Sequence, residues 1–151
     1  SFVQDGAMVV VPNYALCPGV TIDQIVLQMV QAMQWVYRNA GSYGADRNRI
    51  VVAGHSAGGH LATMMLSCLW PEVASDLPAG LVSSAMSISG LFDLEPLRHT
   101  PFLMNDLRLT RESAWRLSPA NFPRPAGVLH AAVGADESTE FLRQNDLIRS
   151  R

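Results

Sequence analysis

Residues 50–58, Ile-Val-Val-Ala-Gly-His-Ser-Ala-Gly, decide the fold of this 151-residue chain. The first four are apolar and predict a buried strand, and the apolar positions of residues 61–69 predict a helix. Ser56 lies between them, two residues from a glycine on each side. In so tight a turn the serine takes a strained backbone conformation, and side chains at positions 54 and 58 would collide. The pattern therefore predicts a serine hydroxyl exposed above the strand, at a helix N-terminus whose partial positive charge favours an oxyanion.

A Gly-x-Ser-x-Gly turn between a strand and a helix resembles the nucleophile elbow of the α/β-hydrolases, which makes Ser56 the candidate nucleophile. The same resemblance makes the backbone N–H of Ala57 one of two donors to the oxyanion. The family's second donor belongs to a His-Gly-Gly loop on an earlier strand, and no such segment precedes Ala7. The alternative is a glycine-rich turn that carries an incidental serine.

Composition predicts one globular domain over residues 1–151, because 48% of the residues are hydrophobic, 16% are charged and the net charge is −2. The eleven Lys and Arg are scattered, so neither nucleic acid nor an anionic membrane is an expected partner. No apolar run is long enough to span a bilayer, and no secretory signal pattern opens the chain. Cys17 and Cys68 lie far apart and are expected to be buried free thiols of a cytoplasmic protein. No cluster has metal-ligand spacing, so neither a metal nor another cofactor is expected.

Apolar runs and amphipathic patterns alternate along the chain. The predicted strands are residues 7–11, 50–53, 81–88 and 127–133, and the predicted helices are residues 22–37, 61–69 and 140–148. The first of these strands is expected to be buried on both faces. This alternation predicts an α/β fold, with a mostly parallel sheet flanked by helices.

Residues 91–125 depart from the alternation. They contain short helical patterns at residues 94–97 and 111–116, punctuated by prolines. In an open α/β sheet, an insertion at the carboxyl ends of the strands often borders the ligand crevice. We therefore expect a lid or the wall of a substrate pocket, with a plain surface excursion as the alternative.

A serine nucleophile needs a histidine base, which a carboxylate orients. The carboxylate belongs in the loop after a late strand, where Asp136 and Glu137 follow Gly134, and either of them could serve. Asp93 is a weaker candidate, because its sequence context also suits a helix cap.

None of the four histidines suits the role of the base. His55 lies directly against Ser56, and His60 belongs to the following helix. His130 falls inside a predicted strand, and His99 precedes the acid candidates, whereas the order in α/β-hydrolases is Ser, acid, His. The base is therefore expected outside this sequence, which resembles the middle of a hydrolase that lacks both ends.

Several segments are similar to the kynurenine formamidase (arylformamidase) branch of the α/β-hydrolases. They are residues 11–18 (VPNYALCP), 54–61 (GHSAGGHL), 89–97 (SGLFDLEPL), 105–109 (NDLRL) with Ser118 and Pro119, and 137–141 (ESTEF) with Arg143 and Gln144. This resemblance covers essentially the whole chain and implies hydrolysis of N-formyl-L-kynurenine to kynurenine and formate, by way of a formyl-serine intermediate. It also favours Glu137 over Asp136, because the family's acid precedes a Ser-x-Glu-Phe segment.

A formyl group is small, so the aromatic part of such a substrate would have to determine specificity. Phe92, Phe102 and Trp115 are the candidate pocket residues, with ordinary core or lid packing as the alternative for each. The expected partner is a small-molecule aryl formamide or ester. The sequence leaves open whether the protein forms a homodimer. Without a base, this polypeptide alone is not expected to be active. The rival functions are a general carboxylesterase of small acyl esters and a non-catalytic, hydrolase-like binding module.

Overall fold

The sheet of the computed structural model, which describes residues 2–151, is parallel and has three strands. The strands are β1 (Ile50–His55), β2 (Val82–Ile88) and β3 (Val128–Ala132), in the order β1-β2-β3. Their register places His55 beside Ile88 and Ile88 beside Ala132. The carboxyl ends of all three strands therefore meet at one edge of the sheet, where an open α/β fold carries its ligand site.

Six α-helices occur among the described residues: α1 (Ile22–Asn39), α2 (Ala57–Leu66), α3 (Trp70–Val73), α4 (Met104–Leu107), α5 (Arg111–Arg116) and α6 (Thr139–Arg149). They confirm the predicted helices near residues 22–37 and 140–148, and α2 begins four residues before the predicted residue 61. The N-terminus of α1 is capped, because the side chain of Gln24 accepts a hydrogen bond from the Thr21 N–H at 2.9 Å. None of these helices is both long and apolar enough to cross a membrane.

The main core lies between the sheet and helices α1 and α2. Apolar residues three and four positions apart on each helix form one buried face, as expected for an amphipathic helix. They pack against inward-facing residues of β1 and β2; the members are Ile25, Met29, Val30, Tyr37, Leu61, Ala62, Met65, Leu66, Ile50, Val82 and Ala85. This packing fixes α2, and with it the turn that precedes α2, relative to the end of β1.

The prediction of a strand at residues 7–11 is wrong. These residues are extended but belong to no strand, and Val9, Val10 and Val11 are exposed by 49%, 41% and 87%. A strand needs the N–H and C=O groups of a neighbour, and no strand among residues 2–151 pairs with the outer edge of β1. A cleft of about 1320 Å³ lies instead between Met8 and Val10 on one side and β1 on the other. The apolar composition of residues 7–11 indicates a tendency to be buried, but it does not indicate which strand they would pair with.

The face of the sheet opposite the main core is also largely open. Val51, Met86 and Val128 point to this face from the three strands, and their side chains are exposed by 67%, 41% and 57%. In the part of the chain that the structure describes, the sheet is thus covered well on one face only. Burial on both faces, the usual environment of a parallel sheet, is not reached here.

The insertion between β2 and β3 contains the two predicted helical pieces, as a 3-10 helix at Glu95–His99 and as α5. It has a small core of its own, formed by Leu94, Ala114 and Leu117. The buried side chain of Gln144 on α6 accepts hydrogen bonds from the N–H groups of Phe92 and Asp93, both at 2.8 Å. The start of the insertion is therefore anchored to α6, at the same end of the sheet as the turn after β1.

Candidate active site

Ser56 occupies the turn between β1 and α2 in a strained conformation, with φ 54° and ψ −116°. Positive φ is rare for a residue with a side chain and persists only where the surrounding structure enforces it. Here the Ser56 N–H donates to the Ile88 carbonyl at 2.9 Å, and the Ser56 carbonyl accepts from the His60 N–H at 3.1 Å. These bonds to the next strand and to α2 fix the backbone that carries the hydroxyl.

Gly54 is required at its position, whereas Gly58 is not required for the predicted reason. A Cβ at Gly54 would lie 2.1 Å from the carbonyl oxygen of Gly58, and backbone atoms cannot move aside as a side-chain tip can. A Cβ at Gly58 would meet nothing within 4 Å. The expected collision at Gly58 is therefore wrong, because that side of the residue faces the cleft beside β1.

Ala57 is the first residue of α2, directly after Ser56. The first N–H groups of a helix have no acceptor within the helix, and they carry the positive end of its dipole. The structure thus places the Ala57 N–H next to the Ser56 hydroxyl, at the position where sequence analysis predicts an oxyanion donor.

Glu137 lies in the loop after β3, at the same edge of the sheet as Ser56. Its Oε1 accepts a hydrogen bond from the Ser89 hydroxyl and another from the Gly134 N–H, the latter at 3.2 Å. The bond from Ser89 is the main cause that lowers the pKa of Glu137, followed by the bond from Gly134, and His55 adds a smaller electrostatic contribution. Glu137 is therefore ionised at neutral pH, as an orienting carboxylate must be. Asp136, the other candidate, is exposed.

Asp93 has the cap-like surroundings that its sequence suggests. Its carboxylate accepts from the Glu95 N–H at 3.1 Å and from the Arg143 guanidinium at 2.8 Å. These contacts tie the start of the 3-10 helix to α6. The structure therefore gives Asp93 the role of a helix cap and of an ion-pair partner of Arg143.

Sequence reasoning missed Ser89. This residue directly follows β2, the strand between β1 and β3, and only 3% of it is exposed. The signal in the sequence is a small polar residue followed by Gly90 at the carboxyl end of the middle strand. Nothing in that signal alone shows which residue the hydroxyl contacts, because its partner is 48 positions away in the sequence.

The four histidines occupy four different environments. His55 is exposed at the end of β1, His130 is exposed within β3, and the ring of His99 lies 3.4 Å from the Glu95 carboxylate. His60 is buried on α2, and its Nε2 lies 2.8 Å from the Leu117 carbonyl, to which it donates a hydrogen bond. Burial lowers the pKa of His60, partly opposed by this hydrogen bond. His60 therefore joins the elbow helix to the end of the insertion.

Because His60 is buried, we expect the free energy of unfolding to decrease at acidic pH. In the unfolded chain its side chain takes up a proton near pH 6.5, whereas the folded chain resists protonation to lower pH. Its contribution to stability is thus fully present above about pH 6.5 and declines as the pH falls, by at most about 1.4 kcal/mol per pH unit. Urea unfolding at pH 7.5 and 5.5 should show a smaller decline for His60→Gln than for wild type. His99→Gln, at an exposed site, is the control, and an unchanged decline in His60→Gln would contradict the prediction.

The three aromatic candidates do not form one pocket. Phe92 is buried, with 1% of it exposed, and its ring packs close to Gly90. Phe102 is 80% exposed on the insertion. Trp115 is 66% exposed and lines a cavity of about 1020 Å³ together with charged residues of the insertion and α6. Phe92 has no face open to a ligand here, and contact of Phe102 or Trp115 with a substrate stays a prediction.

The arrangement of the sheet edge agrees with what comparison with known proteins finds. A family model described as the alpha/beta hydrolase fold matches residues 3–121. The chain belongs to the α/β-hydrolase family. The strained turn at Ser56 lies within the residues that this family model matches.

Among curated proteins, this α/β-hydrolase is similar to kynurenine formamidases and to esterases. It is 32% identical to the kynurenine formamidase of Danio rerio over 150 residues, which cover 95% of this chain and 48% of the relative. It is 30% identical to that of Drosophila melanogaster over an alignment 161 positions long, which covers 99% of this chain and 52% of the relative. Esterase LipC of Mycobacterium tuberculosis is 36% identical over 93 residues, which cover 59% of this chain and 23% of that esterase. The chain therefore spans about half the length of the curated formamidases it matches.

Solved structures are similar to the chain in fold. A proposed thioesterase from Silicibacter sp. TM1040 superposes with a TM-score of 0.76 at 33% identity, covering 92% of this chain and 50% of that one. Carboxyl esterase 2 from Tuber melanosporum has a TM-score of 0.66 at 17% identity, covering 89% of this chain and 48% of that one. The second likeness supports the fold alone.

Proposed function

We propose that this α/β-hydrolase contributes the nucleophile and the orienting acid of a serine hydrolase, with Ser56 as nucleophile and Glu137 as acid. The observation that carries the proposal is the position of both residues at one sheet edge. Ser56 is held at φ 54° between β1 and α2, and the loop of the ionised Glu137 follows β3, which β2 separates from β1. The Ala57 N–H is the proposed oxyanion donor.

The proposed reaction is acyl transfer through Ser56. A general base takes the hydroxyl proton while Oγ forms a bond to the carbonyl carbon, and the carbonyl π electrons move to the oxygen near the Ala57 N–H. Collapse of this oxyanion breaks the carbon–nitrogen bond, and the protonated base gives its proton to the leaving nitrogen. Water then cleaves the acyl-serine ester and restores Ser56. The proposal assigns the base to none of the four histidines, so we expect no turnover by the 151-residue polypeptide alone.

An aryl formamide is the proposed substrate class, with N-formyl-L-kynurenine giving kynurenine and formate. Its support is the similarity to kynurenine formamidases from a fish and an insect along 95% and 99% of the chain, longer than the match to esterase LipC. A formyl-serine would be the intermediate. The esterase matches favour the second candidate, hydrolysis of small acyl esters by the same serine. A binding module without catalysis is the third candidate.

Substrate preference separates these candidates. We expect the protein expressed from its complete coding sequence to have a kcat/KM for N-formyl-L-kynurenine at least tenfold above that for phenyl acetate, on the order of 1.4 kcal/mol of transition-state preference. Absorbance assays of kynurenine and of phenol would measure both. Equal or reversed values would reject the formamidase and favour the carboxylesterase. Binding of either compound without turnover would favour the binding module.

A further inference from the structure

Ser89 stands between the proposed nucleophile and the proposed acid. It directly follows β2, whose last residue, Ile88, accepts the N–H of Ser56. The N–H of Ser89 itself donates to the carbonyl of Ala132, the last residue of β3, at 2.7 Å. The backbone of Ser89 is thus bonded to the strand that leads into the Glu137 loop.

The conformation of Ser89 is unusual for a residue with a side chain. Its φ is 49°, in the left-handed region that glycine adopts at little cost and other residues seldom adopt. It is also 3% exposed, so a polar side chain here must find a hydrogen-bond partner within the protein. That partner is Glu137, whose Oε1 accepts a hydrogen bond from the Ser89 hydroxyl. The strain is thus accompanied by a specific contact to a functional candidate.

The contact also gives the two carboxylate oxygens of Glu137 different roles. Ser89 and the N–H of Gly134 both donate to Oε1 of Glu137, one from the middle strand and one from the acid's own loop. Two donors from different directions fix the plane of the carboxylate. Oε2 then has a defined direction in which to accept an imidazole N–H, and the orientation of a base depends on such a direction.

We propose that Ser89 is a positioning residue of the active site, which holds the Glu137 carboxylate so that its second oxygen faces the general base. The proposal rests on the proposed serine-hydrolase function. Ser89 touches no reacting atom in it and acts through Glu137 alone. Its loss should therefore lower kcat and leave KM nearly unchanged.

The test uses Ser89→Gly and Ser89→Ala in the protein expressed from its complete coding sequence. Both remove the hydroxyl, but glycine also removes the strain at φ 49°, so Ser89→Gly is expected to fold at least as well as wild type. We expect kcat to fall about tenfold in both variants, from the loss of a charge-assisted hydrogen bond that orients the acid. Ser67→Gly is the matched control, because it makes the same chemical change at the C-cap of α2, at the opposite end of that helix from Ser56. Its kcat should equal that of wild type.

A double-mutant cycle separates positioning from a structural role. In a Glu137→Gln background, Ser89→Gly should cause no further loss of kcat, because the residue through which it acts has already been changed. The proposal would be overturned if the losses of kcat in the two single variants multiply in the double variant. It would also be overturned by a wild-type kcat in Ser89→Gly or by full activity of Glu137→Gln. Ser56→Ala, measured in parallel, keeps the outcomes distinct. If Ser56→Ala is inactive while Ser89→Gly is fully active, the hydrolase function stands and the positioning role falls.

Discussion

Replacement of Ser56 by alanine should reduce kcat/KM of the protein expressed from its complete coding sequence by about four orders of magnitude or more. Alanine has no oxygen to attack the substrate, and no neighbouring group holds the same position at the N-terminus of α2. The fold should be little affected, because serine and alanine have the same Cβ at φ 54°. The Ser56 N–H donates to Ile88 from the backbone, so the substitution leaves this bond in place.

The control for Ser56→Ala is Ser67→Ala. Ser67 lies at the other end of the same helix, as the C-cap of α2, so the two variants make the same chemical change in one element. Steady-state hydrolysis and thermal unfolding would be measured for both. Turnover by Ser56→Ala within tenfold of wild type would remove Ser56 from the role of nucleophile. An inactive Ser56→Ala with a greatly lowered Tm would leave loss of fold as the explanation.

Replacement of Gly54 by alanine should be the most damaging change to the fold. The added Cβ would lie 2.1 Å from the carbonyl oxygen and 2.2 Å from the carbonyl carbon of Gly58. Both atoms belong to the first turn of α2, which is packed on the main core, so relief of the overlap would move the helix or the end of β1. We expect a loss of about 3 kcal/mol or more in the free energy of unfolding.

Gly58→Ala provides the matched comparison. The same atom is added four residues later, in open space and within a helix, where alanine is more favourable than glycine by about 0.5–1 kcal/mol. Urea unfolding of the two variants should therefore give changes of opposite sign. Equal stability of Gly54→Ala and wild type would show that the strand and helix can separate at the elbow. A large loss in Gly58→Ala would show that the cleft beside it is filled in solution.

Local patterns predicted the parts of the fold that depend on local interactions. The apolar residues 50–53 and the glycine at position 54 predicted β1 and its turn, and the three- and four-residue spacing of apolar positions predicted α1. Residues 7–11 failed because a strand is a property of a pair, and their composition contains no information about a neighbour. Burial of a parallel strand on both faces likewise depends on elements elsewhere in the chain or in another chain.

The same distinction between local and long-range interactions applies to the candidate site. Ser56 and the loop of Asp136 and Glu137 could be predicted, because each follows a strand that the sequence reveals. The contact between Ser89 and Glu137 could not, since it depends on the register of β2 and β3 and on a backbone conformation at φ 49°. Phe92 shows the opposite error. An aromatic residue in an insertion suggests a ligand contact, but the approach of Gly90 buries this one.

The outer edge of β1 has a consequence for the behaviour of the polypeptide in solution. In the described part of the chain this edge has no paired strand, and its free N–H and C=O groups form a template to which a strand of another molecule can add. Val10 and Val51, which line the cleft beside this edge, are exposed by 41% and 67% and favour such contacts. Association through this edge grows with protein concentration. We therefore expect such association at β1, the strand that directly precedes the proposed nucleophile Ser56.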